Sequence, residues 1–159
     1  VGTPKPAPWK AKEFERVDKP SALASIHAAR EAGISHFIYI SVAQPAPVMK
    51  AYIRVRSQCE HVLRSAGLRA TVLRPWYVLG PGHWWPYALL PLYRLMESIP
   101  ATRDTAKRLR LVTQAQMVNV LVWAVENAPS EWRVLNPEDI ARGDYERAIQ
   151  SGMTSTSPG

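Results

Sequence analysis

Two short runs, Phe37-Ile-Tyr-Ile40, the apolar core of a strand expected over Ile34 to Ser41, and Ala70-Thr-Val-Leu73, constrain this chain more than anything else in it. The first is continuously apolar, whereas a strand exposed on one face would alternate apolar with polar residues. Continuous runs belong to strands covered on both faces. Between the two, Met49 to Ala66 reads as a helix closed by Gly67. Before them, Leu23, Ile26, Ala29 and Ala32 recur at helical spacing until Gly33 supplies a stop. Asp18 is placed to cap that earlier helix, with Pro20 in its first turn, where a missing N–H does no harm. Helix, buried strand, loop, helix, buried strand is the order of crossover units. The expected fold class is therefore α/β with a parallel sheet.

The flanking segments carry weaker patterns. Residues 1–17 read as an extended, Pro- and Lys-rich lead-in, with Val1 to Thr3 as the tail of an earlier strand. Beyond Pro75 the regularity breaks. Residues 76–100 are rich in Trp, Tyr and Pro, with a short helix expected from Tyr87 to Glu97. A strand is expected at Arg108 to Val112, then an amphipathic helix from Thr113 to Asn127 through Met117, Leu121, Val122 and Val125. Trp132 to Leu135 reads as one more edge strand and Pro137 to Gln150 as a last, weaker helix. With 47% hydrophobic and 21% charged residues the composition is globular, enough for one core. The expected organisation is one domain over residues 1–150, with 76–112 as a cap on its substrate side and 151–159 as a frayed tail.

Several function classes fall away on composition. The most apolar stretch, Trp84 to Met96, is interrupted by Pro86, Pro91 and Arg94 and is too short to span a bilayer. The amino terminus lacks the apolar core of a signal peptide, and it lacks an initiator Met, so the chain is expected to be a fragment of a longer product. A single cysteine, Cys59, precludes an internal disulfide and fits a reducing compartment; cytoplasm is the default expectation. The net charge of +7 gathers at Lys5 to Lys19 and Arg103 to Arg110, without the interleaved aromatics of a nucleic-acid module, so no nucleic-acid partner is expected. His27, His36 and His61 make no ligand pattern with Cys59, and no metal site is indicated. Cys59, seven positions after Tyr52, reads as a small buried residue.

The chemistry rests on Tyr52 and Arg56. Four residues apart on a helix, they share a face. That helix follows a buried strand ending at Ser41, at the carboxyl edge where open α/β sheets bind ligands. A cation beside a tyrosine favours phenolate, and a phenol so tuned can exchange a proton with a carbonyl or alcohol. The competing assignment for Arg56 is an ion pair with Glu60, four residues on.

The order strand-Ser41, loop, Tyr52-Ile-Arg-Val-Arg56, helix, then Leu73-Arg-Pro-Trp-Tyr-Val-Leu-Gly-Pro-Gly82 resembles the short-chain dehydrogenase/reductase superfamily. Its extended and atypical, NAD(P)-dependent epimerase/dehydratase-like members are the most similar, over about residues 1–127. The resemblance implies a Rossmann-like doubly wound parallel sheet, with NAD or NADP as cofactor and a small molecule as substrate. It implies Tyr52 as acid or base, and Ser41 (or Val42 in its place) as the group that polarises a carbonyl. Arg56 stands where the family has a lysine and would contact the nicotinamide ribose. Arg74, Pro75, Tyr77 and Val78 would border the nicotinamide, and Trp76, His83, Trp84 and Tyr87 would face substrate.

Two departures shape the functional expectation. Arg supplies charge and ribose hydrogen bonds, but its fork and permanent protonation differ from an ammonium. The resemblance thus implies cofactor binding more firmly than turnover. No Gly-x-Gly-x-x-Gly follows a strand; the nearest Gly pair, Gly80 and Gly82, sits after the wrong one. That motif lets backbone N–H groups and a helix amino terminus meet the pyrophosphate. The chain therefore reads as the C-terminal half of such a domain, holding half a cofactor crevice, with the N-terminal βαβ units and their Gly-rich loop absent. It is expected to self-associate through an exposed sheet edge. The functional expectation is an oxidoreductase or epimerase/dehydratase-like protein. The alternatives are a non-catalytic NAD(P)-binding sensor resembling the nitrogen-metabolite-repression regulators, and a peripheral membrane or assembly protein using Trp84 to Leu92. A packed aromatic cap with no ligand is the competing account of Trp76, Tyr77, Trp84, Trp85 and Tyr87.

Overall fold

A computed structural model describes residues 7–45, 49–80, 110–143 and 145. The first part departs from the expectation of an extended lead-in. Pro8–Lys10 form a 3-10 turn, Ala11–Glu13 an α turn and Phe14–Asp18 a π turn, which run directly into helix α1 (Lys19–Glu31). Phe14 explains the difference: it is fully buried, and a helical backbone is what turns it onto the core. Asp18 is not a cap either. It sits inside the continuous helical run at φ −65°, without a capping bond, so the amino-terminal N–H groups are elsewhere. Gly33 and Gly67 do terminate their helices as expected, at φ +63° and +69°, where a side chain is disfavoured.

Strand β1 (Phe37–Ile40), helix α2 (Lys50–Ser65) and strand β2 (Ala70–Leu73) follow. Next come β3 (Tyr77–Leu79), β4 (Leu111–Thr113), α3 (Gln114–Glu126), β5 (Trp132–Leu135) and α4 (Pro137–Arg142). The strands are parallel. The main sheet has the order β1-β2-β5, with Phe37 opposite Ala70 and Ala70 opposite Trp132. β3 and β4 pair in a second, smaller parallel sheet, Tyr77 opposite Leu111.

Central β2 is buried along its whole length, as a strand with a neighbour on each side and helices on each face must be. One core lies between the sheet and α1–α2: Phe14, Ile26, Tyr39, Val55, Cys59, Leu63, Ala70 and Val72. The other joins Leu73 and Leu135 to Val112, Met117, Val120 and Ile140. Burying a side chain such as Leu63 contributes about 1.5–3 kcal/mol, and α2 supplies three such residues, Val55, Cys59 and Leu63, on one stripe.

Four boundaries are corrected. The strand expected over Ile34 to Ser41 is Phe37–Ile40, the part that pairs with Ala70–Leu73. The strand expected at Arg108 to Val112 is Leu111–Thr113, because Thr113 then caps α3 in a capping box with Gln116. Tyr77–Leu79 is a strand, not part of an irregular cap; β4 supplies the ladder that sequence did not reveal. The last helix stops at Arg142, where Gly143 adopts φ +71°. The expected helix at Tyr87 to Glu97 and the tail 151–159 lie outside the described residues.

Candidate functional site

Arg56 is the centre of the site. Its Nη2 donates to Asp18 Oδ1 at 3.0 Å, and its Nη1 donates to Tyr39 Oη at 3.2 Å and to the Ile40 carbonyl at 3.3 Å. The guanidinium also lies over the Tyr52 ring, 5.0 Å from its centroid. Tyr52 is held from the other side by Phe14, ring centroids 4.9 Å apart. The expected pair is therefore together on one helical face. Three elements converge there: the π turn through Phe14 and Asp18, the end of β1 through Tyr39 and Ile40, and α2 through Tyr52 and Arg56.

The electrostatics follow from burial. Burial alone would lower the Arg56 pKa, but the oxygens of Tyr52 and Tyr39 outweigh it and hold the guanidinium above its ordinary value. Burial pushes the Tyr39 phenol up, further than Arg56 pulls it down. The Cys59 thiol beneath is likewise raised by burial, as an inert core cysteine is. Arg56 Nε is buried and lacks a hydrogen-bond partner.

Glu60 does not pair with Arg56. One turn further along α2, it accepts from Ser41 Oγ, from Gln44 Nε2 at 2.9 Å and from both Arg74 Nε, at 3.1 Å, and Arg74 Nη2. The reason is positional. Tyr52, Arg56 and Glu60 form a stripe beside the core stripe of Val55, Cys59 and Leu63, and the end of β2 delivers Arg74 to Glu60 while the π turn delivers Asp18 to Arg56. Glu60 is 5% exposed and Asp18 3%, so each cation is matched by a buried carboxylate.

The other sequence candidates fall as follows. Ser41 is buried one residue past β1, its N–H bonded to Leu73 O at 2.7 Å. Ala43 N–H bonds Pro75 O at 3.0 Å, so the two chains stay side by side past their strands. No described contact joins Ser41 to Tyr52; the structure brings Ser41 to Arg74 and Tyr52 to Arg56, through different carboxylates. Pro75 is buried, Trp76 and Tyr77 are half-buried, and Val78 is exposed on β3. His83, Trp84 and Tyr87 lie outside the described residues, as do the Trp84 to Leu92 segment and most of the expected cap. Among the described residues no group of three His, Cys, Asp or Glu is placed to hold a metal, and no helix is long and apolar enough to cross a membrane.

Sequence reasoning missed Asp18, Tyr39, Gln44 and the role of Glu60. The signal available was the spacing 52, 56, 60: three polar-tipped residues in register one turn apart, beside a buried stripe.

No protein-family model and no curated protein matches the sequence. Solved structures do match. The Bordetella bronchiseptica enzyme WbmH, in complex with NAD+, superposes with a TM-score of 0.58 at 17% identity, covering 99% of this chain and 58% of WbmH. WbmG from the same organism, in complex with NAD and UDP, gives a TM-score of 0.56 at 12% identity, covering 99% of this chain and 56% of WbmG. The fold is Rossmann-like. At such identities the likeness concerns the fold alone, and the chain spans somewhat more than half the length of these neighbours. In a Rossmann-like sheet, ligands sit outside the carboxyl ends of the strands. Ser41, Arg74 and the Arg56 contact with Ile40 O are all at that end.

Proposed function

We propose that this chain forms the nicotinamide and substrate side of an NAD(P)-binding Rossmann-like domain. The domain is of the oxidoreductase or epimerase/dehydratase-like kind, and this chain is its C-terminal half. The observation that carries the reading is Arg56 stacked on Tyr52 while also bonding the last carbonyl of β1, at the carboxyl edge of parallel strands. In this reading Tyr52 exchanges a proton with a substrate oxygen and the Arg56 guanidinium beside it holds a ribose hydroxyl. Bound nicotinamide would supply the hydride. The residues present fit the nicotinamide-ribose end of such a cofactor only. Nothing in the sequence has the Gly-x-Gly-x-x-Gly pattern that would hold its pyrophosphate, and a further part of the domain must supply that grip.

The test is Tyr52→Phe in the protein carrying the whole domain, assayed for NADPH oxidation with a panel of aldehydes and ketones. Turnover is expected to fall by about 10²–10⁴-fold with cofactor binding kept. Unchanged turnover would end the assignment of Tyr52.

A second reading, a cofactor-binding sensor without turnover, is favoured by a specific observation. Asp18 balances Arg56, and Glu60 engages both Ser41 and Arg74, so neither cation stands beside its phenol or hydroxyl uncompensated. Saturable NADPH binding with no oxidation across the panel would favour it.

A further inference from the structure

The network around Glu60 leaves one charged group with donors still to offer, and that group stands at the ligand end of the sheet. Glu60 accepts from Ser41 Oγ, from Gln44 Nε2, and from Arg74 through Nε and Nη2. A carboxylate only accepts, so Ser41 gives its proton here and keeps none for a ligand's carbonyl. Arg74 differs. A guanidinium carries five N–H groups in a planar fork, and Glu60 takes only the edge formed by Nε and Nη2. The N–H groups of Nη1, with the second of Nη2, face away from Glu60. The one buried, unpartnered side-chain nitrogen among the described residues is Arg56 Nε, so Arg74 Nη1 reaches solvent.

The base of this fork is fixed while its tip is open. Arg74 N–H bonds Leu135 O at 2.9 Å and Ser41 N–H bonds Leu73 O at 2.7 Å, which ties the three strand ends together. The Arg74 side chain is 23% exposed, against 7% for Glu60. Arg74 directly follows central β2, at the carboxyl ends where Rossmann-like sheets place ligands. Stability alone does not account for Glu60, because a buried ion pair is often no better than apolar residues of the same volume. A carboxylate that orders an arginine in advance does have a use: it lowers the entropy cost of binding a ligand.

We propose that Arg74, held by Glu60, is an oxyanion-binding subsite that fixes an acidic group of the ligand, a carboxylate or a phosphate. The open edge between Nη1 and Nη2 presents two parallel N–H groups, which such an anion accepts bidentately. The proposal rests on the reading above only in taking that ligand for the substrate. The affinity of the fork itself requires neither turnover nor Tyr52.

NMR of the isotope-labelled chain tests this, titrated separately with inorganic phosphate and with acetate at an ionic strength held constant by sodium chloride. The Arg74 side-chain resonances should shift saturably, and the anion that binds more tightly names the acid. Arg74→Lys keeps the charge without the fork and should weaken binding by about tenfold or more. Glu60→Gln is the second variant should Arg74→Lys fold poorly. It should also weaken binding by loosening the fork, whereas plain attraction to a basic surface would grow once a negative charge is removed. Arg54→Gln, exposed on α2, should change nothing. Shifts that never saturate, binding undiminished in Arg74→Lys, or tighter binding in Glu60→Gln would each overturn the proposal. None of these outcomes bears on Tyr52→Phe turnover, so the two readings fail separately.

Discussion

The two ends of the main sheet treat positive charge in opposite ways. At the carboxyl end, each guanidinium has a buried carboxylate of its own: Asp18 for Arg56 and Glu60 for Arg74. At the amino end, Arg69 donates to the Ser35 carbonyl at 2.9 Å, and Arg133 donates to the Asn127 carbonyl and stacks on Trp123. His36 there bonds Thr71 Oγ1 at 2.9 Å. The described contacts of these three basic groups are with neutral groups. Burying a charge is expensive without a counter-charge, so matched pairs mark where the fold spends stability to hold ionised groups in fixed positions. The amino end buries Arg133 against a carbonyl and an indole face, with no carboxylate among its described contacts. The contrast marks the carboxyl end as the one that holds matched charges, and it can be broken at either.

The largest effect is expected from Glu60→Ala. It strips the acceptor from Ser41, Gln44 and Arg74 at once and leaves a half-buried guanidinium unmatched. Breaking a buried pair costs about 3–5 kcal/mol, and the lower end applies because Arg74 can turn to solvent. Urea unfolding measures it. Glu60→Gln, which keeps an acceptor, should recover part of the loss. A cost within about 0.5 kcal/mol, as for ordinary surface changes, would mean that the carboxyl end is not the organised one.

Asp18→Asn should cost less, about 1–2 kcal/mol, because the amide still accepts from Arg56 and only the charge is lost. Its use is to sharpen the contrast within the carboxyl end. If Arg56 serves a ligand, Asp18→Asn and Arg56→Ala should alter cofactor affinity in the complete domain, whereas Glu60→Gln should act on stability first. Equal effects of all three on binding would erase the distinction between a site at Arg56 and a staple at Glu60.

Much of this was legible in sequence because it rests on local rules. Phe37–Ile40 and Ala70–Leu73 are continuous runs, Gly33 and Gly67 are stops, and Tyr52 with Arg56 is fixed by helical period, so the parallel strands and the stacked pair follow. The partners of those residues did not follow. Asp18 looks like a cap because Pro20 follows it, yet Phe14 needs burial and pulls the helix back to Pro8, which turns Asp18 inward onto Arg56. Glu60 looks like an i,i+4 partner of Arg56, yet β2 ends with Arg74 closer to it. Both errors arise from tertiary contacts 14 and 38 residues apart in sequence, which no local pattern encodes.

The smallest effect belongs to His36, and it probes the unmatched end. Burial lowers its pKa from the ordinary 6.5, and the charges of Arg133 and Arg69 lower it further. The folded chain therefore binds this proton less readily than the unfolded chain does. Stability from this group is complete above the unfolded value and is lost as pH falls through 6.5 toward the depressed folded value. Chemical denaturation at a series of pH values between about 5 and about 7.5 should show wild type losing stability toward acid more steeply than His36→Gln. Because the imidazole is only partly buried, the difference in slope should be small. Placing a carboxylate beside it, as Thr71→Asp would, should reverse the sign by giving the amino end the counter-charge that the carboxyl end already has. Identical slopes for wild type and His36→Gln would show that the cations at this end do not sense one another, and the contrast between the two ends would then rest on Glu60 and Asp18 alone.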